Sequence, residues 1–169
     1  MKQQLVYKGG GYLSTQVGTW DPYKESWKME QLDLLTKNLV TLAGRDFFHT
    51  QNYINTSAVS RGTNVVCLSE TTSEPLDSWT TLTGEITTFG LSRATASPVA
   101  SHVTGTNVSI VEKTFTASGG SFPAVQVVGL NNNTGAPPVG TFSHIGRFAT
   151  IANVQNGQSF RAFCTLNHG

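Results

Sequence analysis

Ser159-Phe160-Arg161-Ala162-Phe163-Cys164-Thr165-Leu166 places Phe160, Ala162, Cys164 and Leu166 in alternation with Arg161, Phe163 and Thr165. A period of two belongs to a strand that buries one face. Working back from this stretch, the chain repeats the same kind of segment: β-branched and aromatic runs at Asn64–Ser69, Ile86–Ala96, Asn107–Ala117, Ala124–Leu130 and Gly140–Phe148. Turn-forming clusters separate them at Ser118-Gly119-Gly120, at Asn131-Asn132-Asn133-Thr134-Gly135 and at Asn156-Gly157, a dipeptide that favours a tight hairpin. Pro98 and Pro123 fit strand ends or edges, because proline cannot donate to a ladder. Short strands with a turn signal every ten residues or so, and no helical pattern between them, predict a mainly β fold. The expected architecture is an antiparallel β-sandwich over residues 53–169, jelly-roll or immunoglobulin-like in topology.

The N-terminal third reads differently. Asp21-Pro22 resembles a helix start, and Leu32, Leu35, Leu39 and Leu42 then recur at spacings of three and four, with Phe47 near the same stripe. That spacing predicts an amphipathic helix within residues 21–52, closed near Gly44. Residues 1–20 carry Gly9-Gly10-Gly11 and scattered aromatics without a period. Consecutive glycines are entropically costly in a packed element, so this part is expected to be an extended arm. Leu5, Tyr7, Tyr12 and Trp20 are its candidate partner-binding residues.

Only 12% of the 169 residues are charged, against roughly 25% in an ordinary soluble domain. Thr, Ser, Asn and Gly take their place. A surface this neutral suits a protein much of whose exterior meets other subunits. The net charge of +1 gives no field to attract nucleic acid or anionic lipid, so neither a nucleic acid nor a membrane is expected as partner. No apolar run approaches the ~20 residues of a membrane-spanning helix, and Met1-Lys2-Gln3-Gln4 does not open a secretory signal.

Groups able to do chemistry are sparse. No acid follows Glu112, and the carboxylates closest in sequence, Glu70, Glu74, Asp77 and Glu85, fit a solvated loop around Pro75 better than a hydrolytic pair. His49, His102, His144 and His168 stand apart, in no metal-binding frame. There is no Gly-x-Ser-x-Gly elbow. The expectation is therefore a protein that is not an enzyme, with no catalytic residues, no cofactor and no metal. Cys67 and Cys164 lie in β-forming runs and are expected to be buried, reduced thiols. Glu85 and Arg93 flank a compact segment of a chain that otherwise avoids charge, and are expected to form a structural pair.

Several ordered motifs carry a family likeness. They are Asn38-Leu39-Val40-Thr41-Leu42-Ala43-Gly44-Arg45-Asp46-Phe47-Phe48, then Leu82-Thr83-Gly84-Glu85-Ile86-Thr87-Thr88, then Gly90-Leu91-Ser92-Arg93-Ala94. Lys113-Thr114-Phe115-Thr116-Ala117-Ser118-Gly119 and the run Val125 to Leu130 follow. Over residues 38–169 this order resembles a family of small virion structural proteins of tailed bacteriophages. The resemblance implies a particle component made in the host cytoplasm and carried in the virion. The role expected first is capsid decoration or cement, with the major capsid protein or other virion subunits as partners and a homotrimer as the working state. A tail, fibre or adaptor component, or a carbohydrate- or receptor-binding module, is the alternative.

Overall fold

The computed structural model describes residues 10–21, 26–44, 62–96, 101–102 and 108–167, with side chains placed for 40–44, 62–96 and 108–166. The chain is mainly β, and its strands pair antiparallel throughout. In chain order these are β1 (Gly10–Asp21), β2 (Ser26–Val40), β3 (Val65–Ser69), β4 (Ala94–Thr95), β5 (Ser101–His102), β6 (Val108–Thr116), β7 (Phe122–Asn131), β8 (Phe142–Val154) and β9 (Ser159–Asn167). They are hydrogen-bonded in the order β4-β3-β7-β8-β2-β1-β9-β6-β5. The link between the two halves of this array is narrow. β2 pairs with β1 from Ser26 to Asn38 and with β8 only through Leu39 and Val40.

β9 behaves as its alternation requires. Phe160, Ala162, Cys164 and Leu166 are buried, while Arg161, Phe163 and Thr165 between them are partly exposed. The buried set packs in one cluster with Val111 and Phe115 of β6, Val66 and Leu68 of β3, Val125, Val128 and Leu130 of β7, and Phe148, Ala152 and Val154 of β8. Phe148 and Phe160 meet edge to face with ring centroids 5.8 Å apart, the geometry in which a positive ring edge points at a negative face. A second cluster lies on the other side of β3 and β7, where Val65, Cys67 and Val127 pack with Leu82, Phe142 and Ile145, partly covered by Trp79. β3 is therefore buried on both faces, which accounts for its unbroken run Val65-Val66-Cys67-Leu68 in place of an alternation.

Two N-terminal expectations are corrected. Residues 26–40 form a strand, not an amphipathic helix, and residues 10–21 form a strand held between two neighbours, not an extended arm. β1 pairs with β9 from Gly10 to Gly18 and with β2 from Gly11 to Asp21. The register with β1 slips twice, between Leu13 and Thr15 and between Thr15 and Gln16. The three steps from Leu13 to Gln16 thereby face the five from Thr36 to Gln31. Bulges of this kind break the two-residue period. A leucine spacing of three and four is then compatible with a strand, and helix propensity, a weak preference, yields to a ladder closed on both edges of β1. Gly44, expected to close the helix, instead permits close approach: a Cβ there would lie 2.4 Å from the Ser143 carbonyl oxygen. Phe47 lies outside the described residues.

The stretch 86–96 is also not the single strand expected of it; only Ala94–Thr95 pairs, against Val65 and Val66. Finally, the Asn156-Gly157 turn does not close a hairpin. It connects β8 to β9, which are not neighbours, and so carries the chain from one half of the array to the other. The turn from β6 to β7 makes the same kind of crossing. The two are tied together by Ala117, whose N–H donates to the Gln158 carbonyl at 2.9 Å and whose carbonyl accepts from the Gly157 N–H at 2.8 Å.

Candidate functional site

Among the residues whose side chains are described, most of the charged ones pair with one another. Arg93 donates from Nε to Glu85 Oε1 and from Nη2 to Glu85 Oε2, both at 2.6 Å, and each side chain is only 3% exposed. The remaining terminal nitrogen of Arg93, Nη1, donates to the Val139 carbonyl at 2.7 Å and the Asn133 carbonyl at 3.2 Å. Its guanidinium also lies 5.9 Å from the centre of the Phe142 ring. This bidentate geometry raises the Arg93 pKa further, chiefly through the hydrogen bonds to Glu85. Arg93 thus fastens the segment around Glu85 to the loop between β7 and β8. Beside it, the side-chain oxygen of Asn131 accepts from the Asn133 N–H at 2.7 Å, while its buried amide nitrogen has no hydrogen-bond partner.

A second pair lies across β6 and β9, where Arg161 donates to both oxygens of Glu112 at 2.7 Å and sits 5.6 Å from the centre of the Phe163 ring. Glu112 faces Phe163 and Thr114 faces Arg161 in the ladder, so the pair is a diagonal cross-strand contact. The hydrogen bonds to Glu112 raise the Arg161 pKa. The third arginine, Arg147, approaches Glu74 at 3.5 Å and donates to Gln126 at 3.0 Å and to the Thr72 carbonyl. Gln126 in turn donates to the Glu70 carbonyl at 3.1 Å, so this network pins the 70–74 loop to β7 and β8.

The carboxylates that are neighbours in sequence are thereby separated in role, Glu85 with Arg93 and Glu74 with Arg147. Among the described residues, no group of three or more His, Cys, Asp or Glu is placed to hold a metal ion, and no helix is long and apolar enough to cross a membrane. His144 is buried with Nδ1 3.0 Å from the Ser143 hydroxyl. Both cysteines are free and buried, Cys67 in the smaller cluster and Cys164 in the larger. Burial pushes both thiols up, Cys164 to about 12.

Of the four residues assigned to partner binding, Leu5 and Tyr7 lie outside the described residues. Tyr12 stands in β1 opposite Lys37 and Thr165, and Trp20 stands opposite Trp27. Tyr12 and Trp20 therefore stand in a paired strand. The Trp20–Trp27 end of the β1–β2 ribbon extends beyond Ser159, where the pairing of β1 with β9 stops.

One surface feature went unnoticed in the sequence. Phe89 is 40% exposed and has φ +54°, followed by Gly90 at +76°, and the Leu91 N–H donates to the Thr88 carbonyl at 3.0 Å. Two successive positive φ angles at the centre of a four-residue turn mark a type I′ turn, whose first central position favours Asn, Asp or Gly. A bulky side chain held there costs on the order of 1–2 kcal/mol. Gly90 is sterically required, since a Cβ would come within 2.3 Å of the Thr116 carbonyl oxygen. The Phe89 ring rests on the β6–β7 turn, where a Cβ on Gly120 would meet it at 2.5 Å. The glycine after Phe89 was the available signal, obscured by the β-branched run Ile86-Thr87-Thr88 before it. No protein-family model, curated protein or solved structure matches the chain.

Proposed function

We propose that this protein is a structural subunit of a tailed-bacteriophage virion, a decoration or cement protein of the capsid, and not an enzyme. Its two halves, linked at Leu39 and Val40, are taken as the layers of a β-sandwich around the larger cluster, of jelly-roll or immunoglobulin-like type. The observation that carries this reading is the disposal of charge. Between residues 62 and 166 the positively charged side chains are Arg93, Lys113, Arg147 and Arg161, and all three arginines are paired with glutamates of the same chain. Among the described residues, those that face outward are dominated by Thr, Ser, Asn and Gln, a surface that can be covered by protein without desolvating many unpaired charges. The ordered motifs over residues 38–169 support the same reading, and they apply equally to a tail, fibre or adaptor subunit.

The working state proposed is a homotrimer on the capsid, bound to the major capsid protein. Identical residues approach one another near a symmetry axis, where like charges repel, and the acid-free stretch after Glu112 suits such contacts. Glutamate at the exposed Thr114 or Thr116 of β6 is expected to weaken assembly more than glutamate at Thr72 or Ser73, beside acids already present. Native mass measurement of the free protein and averaged imaging of particles carrying it test the idea. A monomer in both settings defeats the trimer, and a label on the tail instead of the head moves the subunit to the tail reading.

A further inference from the structure

We propose that the end of the molecule formed by the Thr88–Leu91, Ala117–Ser121 and Gln155–Gln158 turns is a binding site for a neutral saccharide, with the Phe89 ring as its stacking platform. The three turns form one continuous surface. The Ser118 N–H donates to the Phe89 carbonyl at 3.0 Å, and the Phe89 ring lies against Gly120. The next residue, Ser121, accepts from the Asn156 N–H at 2.9 Å and donates to Gln155 Oε1 at 3.2 Å. Gln155 Nε2 donates to Asn153 Oδ1, and the Gln155 N–H donates to Gln158 Oε1 at 2.8 Å. The amides are thus held in position before any ligand arrives, which lowers the cost of ordering them on binding.

Three observations point to a saccharide. First, Phe89 occupies a turn position that disfavours it and the residue is still 40% exposed, so the fold keeps an aromatic where Asn would fit with less strain. Second, residues 86–92, 117–123 and 153–159 contain no ionisable side chain, and Ser118, Ser121, Asn153, Gln155 and Asn156 are exposed. Neutral donors and acceptors around one ring match a ligand of hydroxyl groups with an apolar C–H face, and offer nothing to a charged one. Third, among the residues whose side chains are described, the other large apolar ones that are exposed, Leu42, Leu76, Val139 and Ile151, lie outside these turns. A protein interface is built around a cluster of apolar anchors, whereas a single sugar ring needs one.

The test uses the full-length protein on an array of neutral and sialylated oligosaccharides, followed by titration with the best neutral oligosaccharide while amide chemical shifts are monitored. We expect a neutral glycan to bind and to shift resonances of Phe89, Ser118 and Gln155. Phe89→Asn supplies the preferred turn residue, so it should leave Tm unchanged or raise it while weakening binding on the order of tenfold or more. Gln155→Ala should weaken binding without abolishing it. The proposal is overturned if the native protein binds no glycan, if it binds only sialylated ones, or if Phe89→Asn keeps full affinity. A Phe89→Asn chain that loses thermal stability assigns the ring to packing and overturns it as well.

Discussion

Glu85 and Arg93 are joined by two hydrogen bonds of 2.6 Å with both side chains almost entirely withdrawn from solvent. Charges so placed repay their desolvation only through geometry, and here the spare donor of Arg93 is also used, on the carbonyls of Asn133 and Val139. Removing one partner strands the other charge in the interior. Arg93→Ala or Glu85→Ala should therefore cost about 3–5 kcal/mol, whereas Arg93→Met with Glu85→Leu should cost much less than the sum of the two single changes. Denaturant titration of the four proteins measures the coupling, and additive effects would show that the pair does not act as a unit.

The buried thiols predict an alkaline weakness. A thiol whose pKa is raised on folding holds its proton more tightly in the native state, so its stabilising effect is complete below the unfolded value and is lost as pH climbs. For Cys164 the window runs from about 8.5, the unfolded value, to about 12. Across it the thiol should contribute a fall of up to about 1.4 kcal/mol per pH unit. Comparing the pH slope of unfolding free energy with that of Cys164→Ala isolates this contribution from other titrating groups. Equal slopes would contradict it. Neither cysteine should react with iodoacetamide in the folded protein at pH 7.

Deleting residues 1–21 removes β1, the strand that lies between β2 and β9. Both neighbours lose a ladder edge, so Tm should fall by roughly 10 °C or more, corresponding to about 3 kcal/mol or more for a chain of this size. A truncated protein that melts like the full chain would mean that β1 adds nothing to the fold.

Gly44 and Gly62 make a matched pair for substitution. A Cβ at Gly44 would collide with the Ser143 backbone at 2.4–2.9 Å, and one at Gly62 would meet nothing within 4 Å. Gly44→Ala should destabilise by about 1–3 kcal/mol as the β2 exit is forced away from β8. Gly62→Ala should be neutral or stabilising by up to about 1 kcal/mol. The order of the two midpoints in urea decides the point.

What the amino-acid sequence settled by itself is whatever depends on local alternation and turn chemistry. β9 could be read residue by residue, because its neighbours in sequence divide cleanly between core and exterior. β3, β6, β7 and β8 were legible as β-forming runs, and Glu85 with Arg93 as a pair in a chain that otherwise avoids charge. The carbonyls that complete the Arg93 cluster were not legible, since Asn133 and Val139 are 40 and 46 residues away and carry no marker for accepting a backbone hydrogen bond. Nor was the exposed Phe89 turn, whose geometry is imposed by contact with Thr116, Ser118 and Gly120. The N-terminal third turned wholly on tertiary structure. Leu32, Leu35 and Leu39 satisfy a helical period, but a helix satisfies its hydrogen bonds within one segment, while a strand needs partners. β1 and β2 pair first with each other, and their remaining partners, β9 for β1 and β8 for Leu39 and Val40 of β2, lie more than a hundred residues along the chain, where no local pattern could announce them.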